Sequence, residues 1–275
     1  MIELPETYVL SEQSNRTLTG KTIQNVWANT NPHKFAFYSG DPSAYNSMLS
    51  GMKITETGTG ISCACGTSVE IVCEDMVLSI NNPVKYHAPG EKLPKTHQLL
   101  VQFTDDSYIS STVQMWGSML CIPLSKRVTG DDTPGPLTDE FDENYFEDLI
   151  NSVKPTLSVK ALLATEQRIP GLGNGVLQDI LYNAEMHPKR KVMTFNDVDK
   201  EKLFRSVKDT LKEMKELGGR DTERDLFNNK GGYHTILSKN TLNCPCRKCG
   251  NGVVRQAFLG GNIYFCPHCQ PVNEI

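Results

Sequence analysis

Long apolar runs are missing from these 275 residues. No stretch approaches the roughly 18 consecutive apolar positions that a membrane-spanning helix needs, so a bilayer span is excluded. The first ten residues, MIELPETYVL, carry neither a basic start nor an apolar run of leader length, and a cytoplasmic, nucleoid-associated protein is expected. Internal repeats and low-complexity tracts are absent, which sets aside solenoids and disordered linkers. Positive charge is absent over one long interval: no Lys or Arg occurs from Ile54 to Val84. Aromatic residues are sparse at 8%, while 38% hydrophobic, 22% charged, 21 Gly and 15 Pro describe an ordinary globular chain of more than one domain. At this length about three quarters of the unfolded surface can be buried, so the fold does not depend on disulfides. The nine cysteines, an odd number, therefore read as thiols and metal ligands.

The net charge of -4 conceals an asymmetry. Residues 185–255 hold 16 Lys and Arg against 10 Asp and Glu, whereas the remainder holds 12 against 22, with eight of those acids between Asp131 and Asp148. The overall acidity is thus compatible with a polyanionic partner at the basic end. A solvated helical face would carry the same asymmetry.

From Lys21 to Leu124 the chain reads as short strands separated by Gly, Asn, Pro and Asp: residues 21–28, 34–38, 68–73, 76–80 and 97–116. A short helix capped by Ser11 is expected over 11–19. Residues 125–140 are rich in turn formers and acids and read as a linker. Helical spacing then appears in 145–153, 158–167, 174–186 and 198–217, the last stopped by Gly218 and Gly219. The resulting division is a sheet domain over 1–124, a linker over 125–140, a helical domain over 141–240 and a cysteine-bearing hairpin unit over 241–275.

Three motifs carry chemistry. The first is Cys246 and Cys249 with Cys266 and Cys269, two CxxC pairs whose turns each supply two thiolates to a tetrahedral zinc. Four thiolates fill the shell, so the zinc is structural; Cys244 is offset by two residues and His268 reads as a surface residue. The second is Ile169-Pro170-Gly171-Leu172-Gly173-Asn174 between two helical segments, where glycines expose N–H groups at a helix start and Asn174 either caps the helix or donates to a phosphate. An ordinary helix–helix turn carries the same residues. The third is the N-terminus, where Glu3 and Glu6 flank Leu4-Pro5 beside an α-amine, the least basic ordinary amine and a Schiff-base former. An exposed acidic terminus is the plain alternative. Cys63, Cys65 and Cys73 read as small buried thiols, with a redox or second metal role as the alternative.

Taken together, ELPE at 3–6, the sheet domain, Gln167 to Asn174, His187-Pro188, Gly218-Gly219, Gly232-Tyr233 and the terminal CxxC pairs resemble the formamidopyrimidine-DNA glycosylase and endonuclease VIII family. The resemblance implies an α+β multidomain fold: an N-terminal β-sandwich, a helix-two-turn-helix domain and a zinc finger. It implies a monomer that binds double-stranded DNA, damaged or abasic, flips out an oxidised base, excises it and cleaves the strand as an AP lyase. Carried onto this sequence, the amine of Met1 or Ile2 is the Schiff-base nucleophile, Glu3 protonates the sugar oxygen and Glu6 supports it. Lys160, Gly173 and Asn174 contact DNA, and Gln114, Met115 and Trp116 fall at the wedge that fills the gap left by the flipped base, although Trp116 also suits a core strand.

Three positions depart from the family pattern. Ile2 stands where the family has an N-terminal proline, the interval free of Lys and Arg covers the hairpin that carries its catalytic lysine, and Gly261 replaces its finger arginine. Arg255, on the same hairpin, is the nearest substitute. A second reading is therefore a catalytically degenerate, zinc-dependent binder of damaged or structured DNA.

Overall fold

The computed structural model describes residues 1–62, 66–127 and 133–272. Cys63 and Cys65, the acids Asp131 and Asp132 and part of the expected linker lie outside the described residues. Helix α1 runs Leu4–Leu18, longer and earlier than expected. Ser11 does not cap it; Ser11 is buried mid-helix, and its hydroxyl donates to the Gly58 carbonyl at 2.9 Å. Pro5 falls in the first turn, where its missing N–H costs nothing, so the helix begins at ELPE.

Beyond α1 two sheets form. One has the order β1-β7-β8-β6, built from Ile23–Ala28, Leu99–Phe103, Tyr108–Ser111 and Val84–His87. The other has the order β2-β9-β5-β4-β3, built from Ala36–Tyr38, Gly117–Pro123, Met76–Ile80, Gly66–Cys73 and Ile54–Ser62. Val26, Val101 and Ile109 from the first sheet and Ile71, Leu78 and Met119 from the second share one apolar core. Three of these strands, β3, β6 and β9, were not anticipated. β3 is rich in Thr and Gly and polar in composition, and β9 begins after a break that sequence alone ran through. The expected strand over 97–116 is two strands, β7 and β8, and stops at Ser111. A short helix, α2 at Tyr45–Leu49, also went unanticipated.

The second half supplies α3 (Glu143–Asn151), a π-helical turn at Ala161–Thr165, α4 (Asn174–Asn183) and α5 (Asp197–Glu216). The segment over 158–167 is thus a short helical stretch that is π-helical over Ala161–Thr165, instead of a regular α-helix. A capping box between Asn196 and Asp199 starts α5. Gly218 and Gly219, at φ +75 and +93, end it, with the Gly219 amide donating to Met214 O at 2.8 Å. No helix follows α5 among the described residues up to 240; the chain there is irregular, although Tyr233 packs in the helical core. Residues 218–233 instead turn back, and Leu226 joins the sheet core, its amide held by Gln13 Oε1 at 2.9 Å. The hairpin β10–β11, Val254–Phe258 and Gly261–Phe265, closes the fold.

Two features tie the halves together. Leu4 packs in the helical core with Leu162, Ile169 and Leu177, while Ile2, Leu10 and Leu18 pack in the sheet core. Helix α1 therefore belongs to both. Within the expected linker, Gly135 and Pro136 are buried and Leu137 packs on the helical core, so that end is structured.

Candidate active site and nucleic-acid interface

The chain's first four residues meet three separate segments. The Met1 α-amine donates to the Trp116 carbonyl at 3.1 Å, the Ile2 amide to Asn81 O at 3.1 Å, and the Leu4 amide to Gly171 O at 2.8 Å. Ile2 points into the sheet core at 4% exposure, so its side chain anchors the terminus. Burial pulls the half-buried α-amine below its ordinary value, against the opposing charges of Glu223 and Glu3. A larger share of this amine is therefore neutral, and nucleophilic, near pH 7.

Glu3 sits at the start of α4. Its two carboxylate oxygens accept from the amides of Gly175 and Val176 at 2.9 and 2.8 Å, and one faces Arg220 Nη1 at 3.1 Å. Gly173, not Asn174, is the N-cap residue, and it makes no side-chain cap. The first-turn amides expected to face a phosphate are thus taken by a carboxylate of the chain itself, which the helix dipole favours. The glycines have specific uses: a Cβ at Gly173 would stand 2.4 Å from Glu3 Oε1, and Gly171 adopts φ +75 against Thr67.

Glu6 is buried at 3% exposure and accepts three donors from Arg220: the backbone amide at 3.1 Å, Nε at 2.9 Å and Nη2 at 2.7 Å. Burial opposes the Arg220 charge, but the facing Glu3 and Glu6 outweigh it and push the guanidinium further up. Arg220 and Glu223 were not anticipated. The only available signal was an arginine directly after a Gly-Gly helix stop, which carries no chemistry by itself. Glu223 is raised chiefly by its own burial.

A second cluster lies at the other side of α4. Lys160 is fully buried, its Nζ donating to Phe258 O at 2.6 Å, and burial lowers its pKa. A Cβ at Gly261 would stand 3.1 Å from Asn174 Nδ2 and 3.6 Å from Lys160 Nζ. The structure thereby brings Lys160, Asn174 and Gly261 together, beside a groove of about 250 Å³ whose walls include Arg220, Thr222, Lys239 and Tyr264. Arg255 stays apart on β10, bonded to Asn262 Oδ1 at 3.0 Å.

Met115 and Trp116 lie on the loop between β8 and β9 and are 76% and 36% exposed. Trp116 is therefore not a core-strand residue, and its carbonyl is the one that holds the α-amine. Cys73 and Cys121 are buried thiols, and burial pushes them up to about 12 and about 11.

The four cysteines Cys246, Cys249, Cys266 and Cys269 have sulfurs within 4.8 Å of one another, with the 246–269 and 249–266 pairs at 3.7 and 3.5 Å. A tetrahedron with zinc–sulfur bonds of about 2.3 Å needs sulfurs about 3.8 Å apart, so this donor set fits zinc. Cys244 is exposed outside the set, and His268 is exposed within its loop. Tyr182 on α4 reaches Cys246 Sγ at 3.2 Å, fixing the finger to the helix that carries the Glu3 site.

No family model matches the chain. Among curated proteins it is 27% identical over 286 residues to the formamidopyrimidine-DNA glycosylase of Bacillus licheniformis, covering 98% of this chain and 99% of that protein. It is 32% identical over 168 residues to that of Prochlorococcus marinus, covering 59% of this chain and 56% of that protein. Over nearly its whole length the chain is similar to formamidopyrimidine-DNA glycosylases. Their fold is shared as well. The MutM (Fpg) protein of Thermus thermophilus superposes with a TM-score of 0.79 at 21% identity, covering 99% of this chain and all of that one. A Lactococcus lactis Fpg in complex with abasic-site DNA superposes with a TM-score of 0.80 at 24% identity, covering 98% and 99%. What the chain shares with these structures is a mixed helix-and-sheet fold, and its own four clustered cysteines are close enough together to hold a metal ion. No helix among the described residues is long and apolar enough to cross a membrane.

Proposed function

We propose that the protein is a base-excision DNA glycosylase with AP-lyase activity on duplex DNA carrying oxidised bases or abasic sites. The observation that carries this is the convergence of the α-amine, Glu3 and Glu6 at one point, beside an exposed Met115–Trp116 turn. The neutral amine attacks the anomeric carbon of the flipped nucleotide and forms a carbon–nitrogen bond. The damaged base leaves with the electron pair of its glycosidic bond, and the proton lost by the amine is taken up within the site. Glu3 carries the protons of ring opening and of the following β-elimination, and Glu6 keeps it in place. Met115 and Trp116 fill the gap in the stack. Asn174, with Gly173 shaping the turn before it, holds the backbone phosphates, Lys160 acts from beneath by fixing the finger hairpin through Phe258 O, and Arg255 adds a contact from the finger. Zinc, bound by the four thiolates, keeps the finger folded and takes no part in the chemistry.

The test is borohydride trapping with a duplex that contains an abasic site. A covalent protein–DNA species that maps to the N-terminal peptide, and that Glu3→Gln abolishes, is the expected result. Retarded DNA in a mobility-shift assay with no trapped species would overturn the lyase. It would leave the non-catalytic binder that Ile2, the missing hairpin lysine and Gly261 suggest.

A further inference from the structure

We infer that Arg220 is a positioning residue for the acid pair: it fixes Glu3 and Glu6 against α4 from a segment that the sequence analysis left without a role. This inference rests on the glycosylase reading above.

Its basis is geometric. Arg220 is 4% exposed and spends its donors on two carboxylates of one helical turn, Glu3 at 3.1 Å and Glu6 at 2.9 and 2.7 Å. Every group found on the Glu3 carboxylate is a donor, two amides and one guanidinium, so each oxygen has a fixed direction. Glu6 has Arg220 as its partner for all three of its hydrogen bonds, and without the guanidinium it would be a buried carboxylate held by the residue-220 backbone amide alone. The planar fork matters, because an ammonium would reach one carboxylate and not both at these angles.

The chain is also shaped to admit this side chain. A Cβ at Gly175 would stand 1.8 Å from Arg220 Nη1, so a glycine is needed there for the guanidinium to pass under the first turn of α4. The Arg220 backbone is pinned on both sides. Gly219 O accepts from the Tyr233 amide at 3.0 Å, Tyr233 O accepts from the Asp221 amide at 2.9 Å, and Gly231 approaches Gly219 closely enough to exclude any Cβ. Glu3 and Glu6 come from α1 and its cap, Glu223 lies one turn beyond Arg220, and Asp179 on α4 adds a further negative charge. Arg220 offsets this excess, and Glu223 faces both Arg220 and the Met1 amine. Catalytic groups tolerate misplacement on the order of 0.5 Å, so a carboxylate swinging free of Arg220 loses its alignment with the amine.

The experiment compares Arg220→Lys, Arg220→Gln and Gly175→Ala with the parent on an abasic duplex. It records single-turnover strand cleavage at saturating protein, DNA affinity by mobility shift, and the pH profile of cleavage. Arg220→Gln should cleave at least tenfold more slowly with affinity within about threefold of the parent. The acid limb of its profile, which the Met1 amine sets because only the neutral amine attacks, should move to higher pH, because removing a cation from the charge cluster that the amine shares through Glu223 makes the amine easier to protonate. Arg220→Lys should restore the position of that limb but only part of the rate. Gly175→Ala, which keeps the arginine and displaces it, should resemble Arg220→Gln and covers the case in which the glutamine variant does not fold. Parental rates and an unmoved pH profile in folded Arg220→Lys and Gly175→Ala would overturn the inference while leaving the glycosylase reading intact. A parent with no cleavage or trapping would overturn both.

Discussion

At the scale of single residues, the α-amine is placed among groups that pull its proton affinity in opposite directions. Burial lowers it and the charge of Glu223 raises it, with burial the larger. Because only the neutral amine forms a Schiff base, trapping on an abasic duplex should rise with pH through a midpoint below the ordinary value of about 8. Removing the Glu223 charge leaves burial less opposed, so Glu223→Gln should move that midpoint to still lower pH. A midpoint at or above that of the parent would contradict the assignment of Glu223 as the amine's principal charged neighbour. Trapping yield measured across pH 5 to 9 decides it.

At the scale of elements, α1 and α4 do more than their sequences announce. Leu4 is fully buried in the helical core although α1 opens the sheet half, so Leu4→Ala should cost about 2–5 kcal/mol in urea unfolding. A helix lying only on the sheet would lose less at that position. On α4, Asp179 accepts the amides of Ile236 and Leu237, both at 2.8 Å, and so ties the segment ahead of the finger to the helix. Burial pushes its carboxyl up to about 6. A carboxyl raised by folding favours the native state while protonated, and that contribution is lost as pH rises from about 4 through about 6. The stability advantage of the parent over Asp179→Asn should therefore shrink between pH 4 and pH 7, by up to about 3 kcal/mol at about 1.4 kcal/mol per unit. An advantage that is flat or grows with pH would contradict it.

For the whole molecule, DNA affinity is expected to be a sum of phosphate contacts spread over α4 and the finger. Each neutralised phosphate adds about -0.9 to the slope of log affinity against log salt. Gly261 lies beside Asn174 and Lys160 with space for a side chain at ordinary or slightly tight distances. Gly261→Arg should accordingly strengthen binding and steepen that slope by about one, as read from mobility shifts between 50 and 200 mM salt. Stripping zinc with a chelator should release one metal per chain and weaken DNA binding, because the thiolates that hold the finger would repel one another. It should leave the sheet core, which shares no residue with the cysteine cluster, able to unfold cooperatively.

The finger was legible in the sequence because its chemistry is local: two CxxC turns and a hairpin bring four sulfurs together with little help from elsewhere. Helix α5 was legible for the same reason, through periodicity and two terminal glycines. The Ile169–Asn174 turn was visible, but its amides turned out to belong to Glu3, some 170 residues away, a pairing with no sequence signature. The start of α1 was missed because Glu3, its cap residue, gives its side chain to α4 and not to its own helix. Strands β3 and β9 were missed because their polar or interrupted patterns are set by their neighbours in the sheet. By itself, then, the sequence determined the four-cysteine unit, the helical periods and the presence of two carboxylates beside the first amine. Only the tertiary structure decided that Arg220 joins those carboxylates, that Glu223 faces the amine and that Lys160, Asn174 and Gly261 share one corner, because such pairings are made by packing across the chain and not by spacing along it.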